Sequence, residues 1–235
     1  MISVLLLGLL IGMKHALEAD HVAAVASLAT RSRTIGSGVR LGVAWGIGHT
    51  ATLFLVGATV LSFDAVIPAS VAQWLEFAVG IMLILLGADV LRRMIRARAH
   101  FHLHDHGRRT HFHAHSHAGV NRAKAASHEH DHPKGMQARA IVVGLVHGMA
   151  GSAALVLLTL NSIDSVWLGV GYILVFGFGS ILGMAALSVI VVFPLMLTAR
   201  RLTWAFNGLT AVAGFVTLIL GTMISFRFAV AAGIF

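Results

Sequence analysis

The chain contains no cysteine. Disulfides, thiolate metal sites and thiol catalysis are therefore excluded, and a metal ion would have to be held by histidine, carboxylate, methionine or backbone groups. Charged residues are also scarce, at 11% of 235 residues, whereas a typical soluble domain carries about a quarter. Hydrophobic residues make up 57% and occur in runs longer than the ~20 residues that cross a bilayer. The sequence therefore predicts an integral membrane protein.

The formal charge of +8 is carried by short connections between the apolar runs, mostly between Arg92 and Arg139. Membrane proteins distribute positive charge in this way, and no aromatic-rich basic surface remains on which nucleic-acid bases would stack. The apolar N-terminal stretch lacks the basic start of a signal peptide, and its apolar character resumes after Asp20. We therefore interpret it as a retained first helix, and we expect membrane lipid, with no nucleic acid, as a partner.

Six apolar segments are each long enough to span a bilayer. They cover residues 2–29, 39–62, 71–92, 139–160, 166–192 and 204–226. Lys and Arg occur in the first, third and fifth connections and are absent from the second and fourth. Because positive charge stays on the cytoplasmic side, this alternation predicts a multi-pass protein of the plasma (inner) membrane with both termini outside. The compact loops favour a bacterial membrane.

Three sequence patterns of the first half recur in the second half, in the same order and 131 to 134 residues later. They are Gly12-Met-Lys-His15 with Gly144-Leu-Val-His147, Gly46-Ile-Gly48-His49 with Gly177-Phe-Gly179-Ser180, and Gly80 and Gly87 with Gly214 and Gly221. Because each half has three spans, the second half must be inverted, which is a transporter architecture. The predicted fold is an all-α membrane protein with six transmembrane helices as two inverted three-helix repeats. The repeats would cover residues 1–92 and 139–235, on either side of a cytoplasmic loop at 93–138.

Five ionisable residues interrupt the first apolar segment within eight positions: Lys14, His15, Glu18, Asp20 and His21. Each costs a few kcal/mol in a spanning segment on insertion scales, so together they indicate a water-filled cavity, a partner or an ion. In a continuous helix Glu18 shares a stripe with both histidines, and Asp20 lies on roughly the opposite side. Either Glu18 completes the site and Asp20 supports it, or the helix breaks here and Asp20 turns inward; we favour the break. A Lys14–Glu18 ion pair is a purely structural alternative for those two residues.

Two further histidines, His49 and His147, lie inside apolar segments beside glycines that let neighbouring helices approach closely. A lone histidine in a helix is usually a packing residue. However, none of the four histidines outside the long third connection lies in a short loop. Imidazole with carboxylate suits Zn, Ni, Co or Cu rather than Mg or Ca. The expected metal-binding set is His15, Glu18, Asp20, His21, His49 and His147.

Some other polar residues of the apolar segments have structural interpretations. Ser152 and Thr50 are of the kind that forms hydrogen bonds between membrane helices. Asp89 lies close in sequence to Arg92 and Arg93. We expect it to form an ion pair with them on the cytoplasmic side.

The third connection is rich in histidine at alternating positions, a compositional sign of metal binding. These are His100, His102, His104, His106, His111, His113, His115, His117, His128, His130 and His132. The loop has too few apolar residues to form a core, so we expect it to be disordered without metal. It can buffer metal ions, pass them on or sense them, and its structural alternative is a solvated linker.

These motifs resemble the nickel/cobalt transporter family, in the broad sense that includes compact six-span, urease-accessory-type nickel permeases. The likeness rests on His15-x4-Asp20-His21, Gly48-His49-Thr50, the Gly144-Leu-Val-His147-Gly segment and the histidine-rich loop. It implies that His15, Asp20, His21 and His49 carry metal selection. It also implies a nickel or cobalt ion as transported substrate, no prosthetic group, and cytoplasmic nickel chaperones as candidate partners.

The predicted function is therefore transport of a divalent transition-metal cation, with nickel or cobalt uptake driven by membrane potential as the first choice. No phosphate-binding Gly-x4-Gly-Lys-Ser/Thr loop is present, so ATP hydrolysis by that route is excluded. Efflux of the same ions is the main alternative. A remote one is a membrane acyltransferase, because His15-x4-Asp20 also looks like the acyltransferase box in which the Asp orients a general-base His. A sensor or scaffold that transports nothing is a third; we expect no enzyme.

Overall fold

Seven helices and one two-stranded ladder make up the described part of this computed structural model. It describes residues 2–32, 34–63, 68–96, 99–105, 110–116, 133–149 and 165–232. The helices are α1 (Ile2–His15), α2 (Ala19–Ala29), α3 (Ile35–Phe63), α4 (Ala69–Arg96), α5 (Pro133–Gly148), α6 (Val166–Arg201) and α7 (Thr203–Ala231). The strands are β1 (Ala99–Asp105) and β2 (Thr110–Ser116).

Four of the helices are long and apolar enough to cross a membrane. Their spanning stretches are Ile35–Val60, Ala69–Arg96, Trp167–Ala199 and Thr203–Ala231. Large apolar side chains such as Leu85, Ile190 and Ile219 are exposed on their outer faces, as expected for helices surrounded by lipid. The four helices fit the predicted multi-pass membrane protein. The shorter apolar helices α1 and α2 share the first predicted segment.

The first apolar segment is broken. α1 ends at His15, α2 begins at Ala19, and Glu18 between them is extended, with φ −64° and ψ 150°. The backbone N–H groups of Leu17 and Glu18 donate to carbonyls three residues back, at 2.9 and 3.1 Å, which tightens the end of α1. The broken-helix alternative is therefore confirmed. The break places Asp20 in the first turn of α2, where the helix dipole favours a negative charge.

The helices of the two halves pack crosswise. α1 of the first half packs on α6 of the second, and α5 of the second half packs on α3 of the first. α3 and α6 also pack on each other, as do α4 and α7. Each half therefore contacts the other through corresponding helices.

Matched glycines permit the closest of these contacts. A Cβ atom on Gly12 would collide with the carbonyl oxygen of Phe176, and one on Gly144 would collide with that of Trp45. Gly12 and Gly144 are 132 residues apart, and Trp45 and Phe176 are 131 apart. The same contact is thus made twice, once by each half. Glycine is required at both positions because the facing backbones leave no room for a side chain.

The contact between α4 and α7 is also reciprocal. A Cβ atom on Gly80 would lie 3.0 Å from the carbonyl oxygen of Gly221, and one on Gly87 would lie 2.7 Å from that of Gly214. Gly80 corresponds in the repeat to Gly214, and Gly87 corresponds to Gly221. Each glycine therefore faces the counterpart of the other.

One carboxylate joins three elements. Asp89 Oδ2 on α4 lies 2.9 Å from Arg31 Nη2, 3.2 Å from Arg139 Nη2 and 3.4 Å from Arg93 Nε. The expected pairing with Arg93 is confirmed, whereas Arg92 is exposed. Arg31 follows α2 and Arg139 belongs to α5, so the sequence neighbourhood of Asp89 did not indicate them. The carboxylate links the end of α2 to the first turns of α5.

Part of the histidine-rich loop is a β-ladder. β1 and β2 pair antiparallel, with a register that sets His100 opposite His115, His102 opposite His113 and His104 opposite His111. The expectation of a disordered loop is corrected for these two strands, because alternating His-x-His has the two-residue period of a strand. The remaining loop histidines, His106, His117, His128, His130 and His132, lie outside the described residues.

We expect Gly144→Ala to destabilise the protein. The new methyl group has to displace the backbone of Trp45, and overpacking of this kind costs about 1–3 kcal/mol. Thermal unfolding in detergent measures the effect. Gly135→Ala on the same helix is the matched control, because a Cβ atom there meets nothing within 4 Å and alanine favours the helix by about 0.5–1 kcal/mol. Equal melting temperatures for the two variants would contradict the close α3–α5 contact.

We also expect Asp89→Asn to destabilise the protein, because three guanidinium groups then lose their shared counter-charge. The loss should be about 1–2 kcal/mol, since these ion pairs are partly exposed to solvent. Glu76→Gln removes one negative charge from an exposed position of the same helix and is the control. High salt should narrow the difference between the two melting temperatures; a difference that grows with salt would argue against the cluster.

Candidate metal centre

Four buried histidines from four helices meet at the break between α1 and α2. His15 ends α1, His21 lies in the first turns of α2, His49 lies in α3, and His147 lies near the end of α5. Their exposed fractions are 2, 1, 0 and 3%. The ring centre of His21 lies 4.4 Å from that of His15, 5.2 Å from that of His49 and 4.2 Å from that of His147. His21 is therefore the central ring of the cluster.

The local folding of the chain explains why these rings meet. The break turns the chain so that the last residue of α1 and the first turns of α2 face the same interior. Gly48 packs against the backbone of Leu145, and Gly144 packs against the backbone of His49. This close approach of α3 and α5 brings the rings of His49 and His147 within 5.9 Å.

Two carboxylates fix the orientation of three of the rings. Glu18 Oε1 lies 2.9 Å from His15 Nδ1, and Asp20 Oδ1 lies 3.0 Å from His21 Nδ1. The other oxygen of Asp20 lies 3.2 Å from His147 Nε2. An ionised carboxylate only accepts hydrogen bonds, so each facing ring nitrogen carries the proton and the opposite nitrogen carries the lone pair. Carboxylates orient histidine ligands of metal ions in this way.

The opposite nitrogens are buried and have no hydrogen-bond partner. They are His15 Nε2, His21 Nε2 and His147 Nδ1, joined by both ring nitrogens of His49. Leaving a buried polar atom unpaired costs about 1–3 kcal/mol. Several unpaired lone pairs pointing into one cluster therefore indicate a bound group that supplies the missing interactions.

The ligand atoms form two groups of three. One group joins His15, His21 and His49, and the other joins Asp20, His21 and His147. Within each group the atoms lie within 4.8 Å of one another. His21 belongs to both groups. Nitrogen-rich sets with one carboxylate nearby suit first-row transition metals such as Ni, Co, Cu or Zn.

Two aromatic side chains that the sequence analysis did not single out border the cluster. The Trp45 ring centre lies 5.3 Å from that of His21 and 5.5 Å from that of His147. The Phe176 ring centre lies 5.5 Å from that of His15. Both rings are buried and keep the surroundings of the histidines apolar. Spacing could have revealed Trp45, because it precedes His49 by four residues and shares its helix face.

The structure brings together five of the six expected site residues, His15, Asp20, His21, His49 and His147. The side chain of Glu18 is 47% exposed and reaches the cluster only through its hydrogen bond to His15. Among the described residues no ion pair joins Lys14 to Glu18, so that structural alternative is not realised.

Other predicted polar residues lie apart from the cluster. Thr50 Oγ1 donates a hydrogen bond to the carbonyl of Gly177 at 3.1 Å, the interhelical role expected of it. Ser152 lies outside the described residues, as do the side chains of the histidine-rich loop. The centre is therefore built by the described helices without a contribution from the loop.

The whole chain is similar to a known protein. It is 34% identical over 236 residues to the urease accessory protein UreH of Bacillus sp. (strain TB-90), an alignment that covers 100% of this chain and 96% of UreH. No family model matches the chain, and no solved structure matches it. Identity at this level over nearly the full length of both proteins shows common family membership. The chain therefore belongs to the family of the urease accessory protein UreH, the urease-accessory-type group within the broad nickel/cobalt transporter family that its motifs resemble.

Proposed function

We propose that the chain carries a divalent transition-metal cation across the membrane and holds it in transit at the histidine cluster. The observation that carries this proposal is the set of buried, unpartnered ring nitrogens of His15, His21 and His49 inside a multi-pass membrane protein. A permanent structural ion needs no place inside a lipid-embedded bundle whose helices already pack through glycine contacts. An ion in transit does need ligands there, because it must shed water to cross.

Each residue of the cluster has a distinct role in this proposal. His15, His21 and His49 are the ligands, and imidazole selects transition metals over Mg and Ca. Glu18 and Asp20 hold the first two rings in the tautomer that presents Nε2 to the ion. The family resemblance favours nickel or cobalt over zinc and copper. The ion is the substrate, and no prosthetic group is needed.

The proposed architecture is six spans in two inverted three-helix repeats. Its support is the crosswise packing of α1 on α6 and α3 on α5, together with the reciprocal glycine contacts. The histidine cluster lies where α1, α2 and α3 of the first half meet α5 of the second. Transporters with inverted repeats place the substrate at such a crossing and expose it alternately by rocking one repeat against the other.

We propose uptake as the direction, through the inner membrane of a bacterium, with both termini outside and the histidine-rich loop in the cytoplasm. A divalent cation that moves inward gains about 4.6 kcal/mol per 100 mV of inside-negative potential, since each charge gains about 2.3. That free energy supports a gradient of more than about a thousandfold without ATP. The histidine-rich loop would receive the ion, buffer it and pass it to cytoplasmic nickel chaperones.

The geometry does not favour the acyltransferase alternative. A His-x4-Asp general base requires the aspartate to orient the histidine five residues before it. Here His15 Nδ1 is paired with Glu18, and Asp20 is paired with His21 and His147. We therefore propose a transporter with no enzymatic activity.

Trp45 supplies a test of metal binding at the cluster. Ni²⁺ and Co²⁺ quench nearby indole fluorescence, and Trp45 is in ring contact with His21 and His147. Subtracting the signal of Trp45→Phe isolates its emission from that of Trp74, Trp167 and Trp204. We expect saturable quenching, with the midpoint raised at least about 100-fold in His49→Ala and by about 10- to 100-fold in Glu18→Gln.

The matched control for this titration is a histidine of the loop. His102→Ala should leave the quenching of Trp45 unchanged, because the cluster is formed without the loop. If His102→Ala and His49→Ala shift the midpoint equally, the ion is bound by the loop and not by the cluster.

Purified protein in vesicles tests direction and driving force. With an imposed inside-negative potential, we expect Ni²⁺ or Co²⁺ to enter vesicles through molecules in the native orientation, at a rate that rises with the potential. His21→Ala should abolish entry. Extrusion from cells that express the wild type, with metal tolerance instead of metal sensitivity, would keep the site and reverse the direction to efflux. Entry that ignores the potential would rule out electrogenic uptake.

A further inference from the structure

We infer that the centre holds one ion at two alternative positions, and that His21 belongs to both. The first position is formed by His15, His21 and His49, and the second by Asp20, His21 and His147. This inference rests on the proposed transport function and adds an internal transfer step to it. It gives Asp20 and His147, which orient ligands when the first position is filled, a second role as ligands themselves.

The nitrogens of His21 point to different neighbours. Nδ1 faces Asp20 Oδ1 at 3.0 Å, on the side of the second position. Nε2 is buried and unpartnered, and it is the nitrogen left for the first position with His15 Nε2 and His49. A ring that offers one nitrogen to each side can ligate the ion before and after a short movement, so the ion is never without a protein ligand.

The second position is prearranged around Asp20. His21 Nδ1 and His147 Nε2 both face its carboxylate, at 3.0 and 3.2 Å. An ion that enters between the carboxylate and the two rings replaces two hydrogen bonds with three coordination bonds. Proton balance is kept, because each ring retains one proton and carries it on the nitrogen that does not bind the ion.

The two positions differ in origin and charge. The ligands of the first all come from the first half of the chain, on α1, α2 and α3. The second includes His147 on α5 of the second half, and it adds one negative charge from Asp20. Transfer between them therefore moves the ion from one half toward the other, which is the step that rocking of two repeats requires.

Occupancy of one position excludes occupancy of the other. A neutral imidazole has a single lone pair in the ring plane, so His21 can ligate through only one nitrogen at a time. Two divalent ions so close together would also repel strongly inside a membrane protein. We therefore expect one ion per cluster at saturation.

Visible absorption of bound Co²⁺ tests the two positions in the full-length protein, because its bands depend on ligand type and geometry. His49→Gln keeps only the second position, and His147→Gln keeps only the first. His21→Gln lacks both and is the blank that removes the contribution of the histidine-rich loop. After subtraction of this blank, we expect each of the first two variants to bind one Co²⁺ with a spectrum unlike that of the other. Both should transport at least about tenfold more slowly than the wild type.

A single four-ligand site predicts the opposite pattern. Either His49→Gln or His147→Gln would then have the same Co²⁺ spectrum as the blank, or the two variants would share one spectrum. Wild-type transport rates in His147→Gln would also overturn the inference. Thermal unfolding of each variant without metal identifies a misfolded protein, and Asp20→Asn then replaces His147→Gln as the variant that weakens the second position.

The outcomes separate this inference from the proposed function. If wild type and His21→Gln give the same Co²⁺ spectrum and neither moves metal, the transport proposal itself fails. If the wild type binds and transports while the single variants behave as parts of one site, only the two-position inference fails.

Discussion

The structure of the centre depends on the hydrogen bonds accepted by one carboxylate, that of Asp20. It accepts from the backbone N–H of His21 at 2.8 Å and from the Nδ1 atom of the same residue at 3.0 Å, and it faces His147 Nε2 at 3.2 Å. The first bond helps to start α2, the second sets the tautomer of the central ring, and the third joins the first half of the chain to the second. None of these bonds is available in an unbroken helix, where Asp20 points away from the histidines.

Much of this arrangement could be predicted from the sequence. Apolar segments with few charges gave the membrane helices, because lipid forces backbone groups to pair within helices. Ionisable residues are too costly in lipid to be accidental, so the density of such residues around His15 and His21 located the centre. The same cost, with the helical positions of Glu18 and Asp20, indicated a break.

Contacts between elements distant in sequence could not be predicted in the same way. Asp89 was expected to pair with its neighbours along α4, yet Arg31 and Arg139 reach it from other elements, and only tertiary packing decides such partners. Trp45 and Phe176 appeared to be ordinary apolar residues of spanning helices, although both border the cluster. The ladder of β1 and β2 was missed because composition, which indicated a loop, took precedence over the two-residue period of its histidines.

The cluster around Asp89 has a mechanical consequence. α2 carries His21 in its first turns and is followed by Arg31, whereas α5 carries Arg139 in its first turns and His147 near its end. The two helices are therefore joined by a carboxylate at each end, by Asp20 beside the histidines and by Asp89 beside the arginines. They form a four-sided frame with two rigid helical sides and two polar crosspieces. When either crosspiece loosens, the helices can only pivot about the other, so the frame opens at one end at a time.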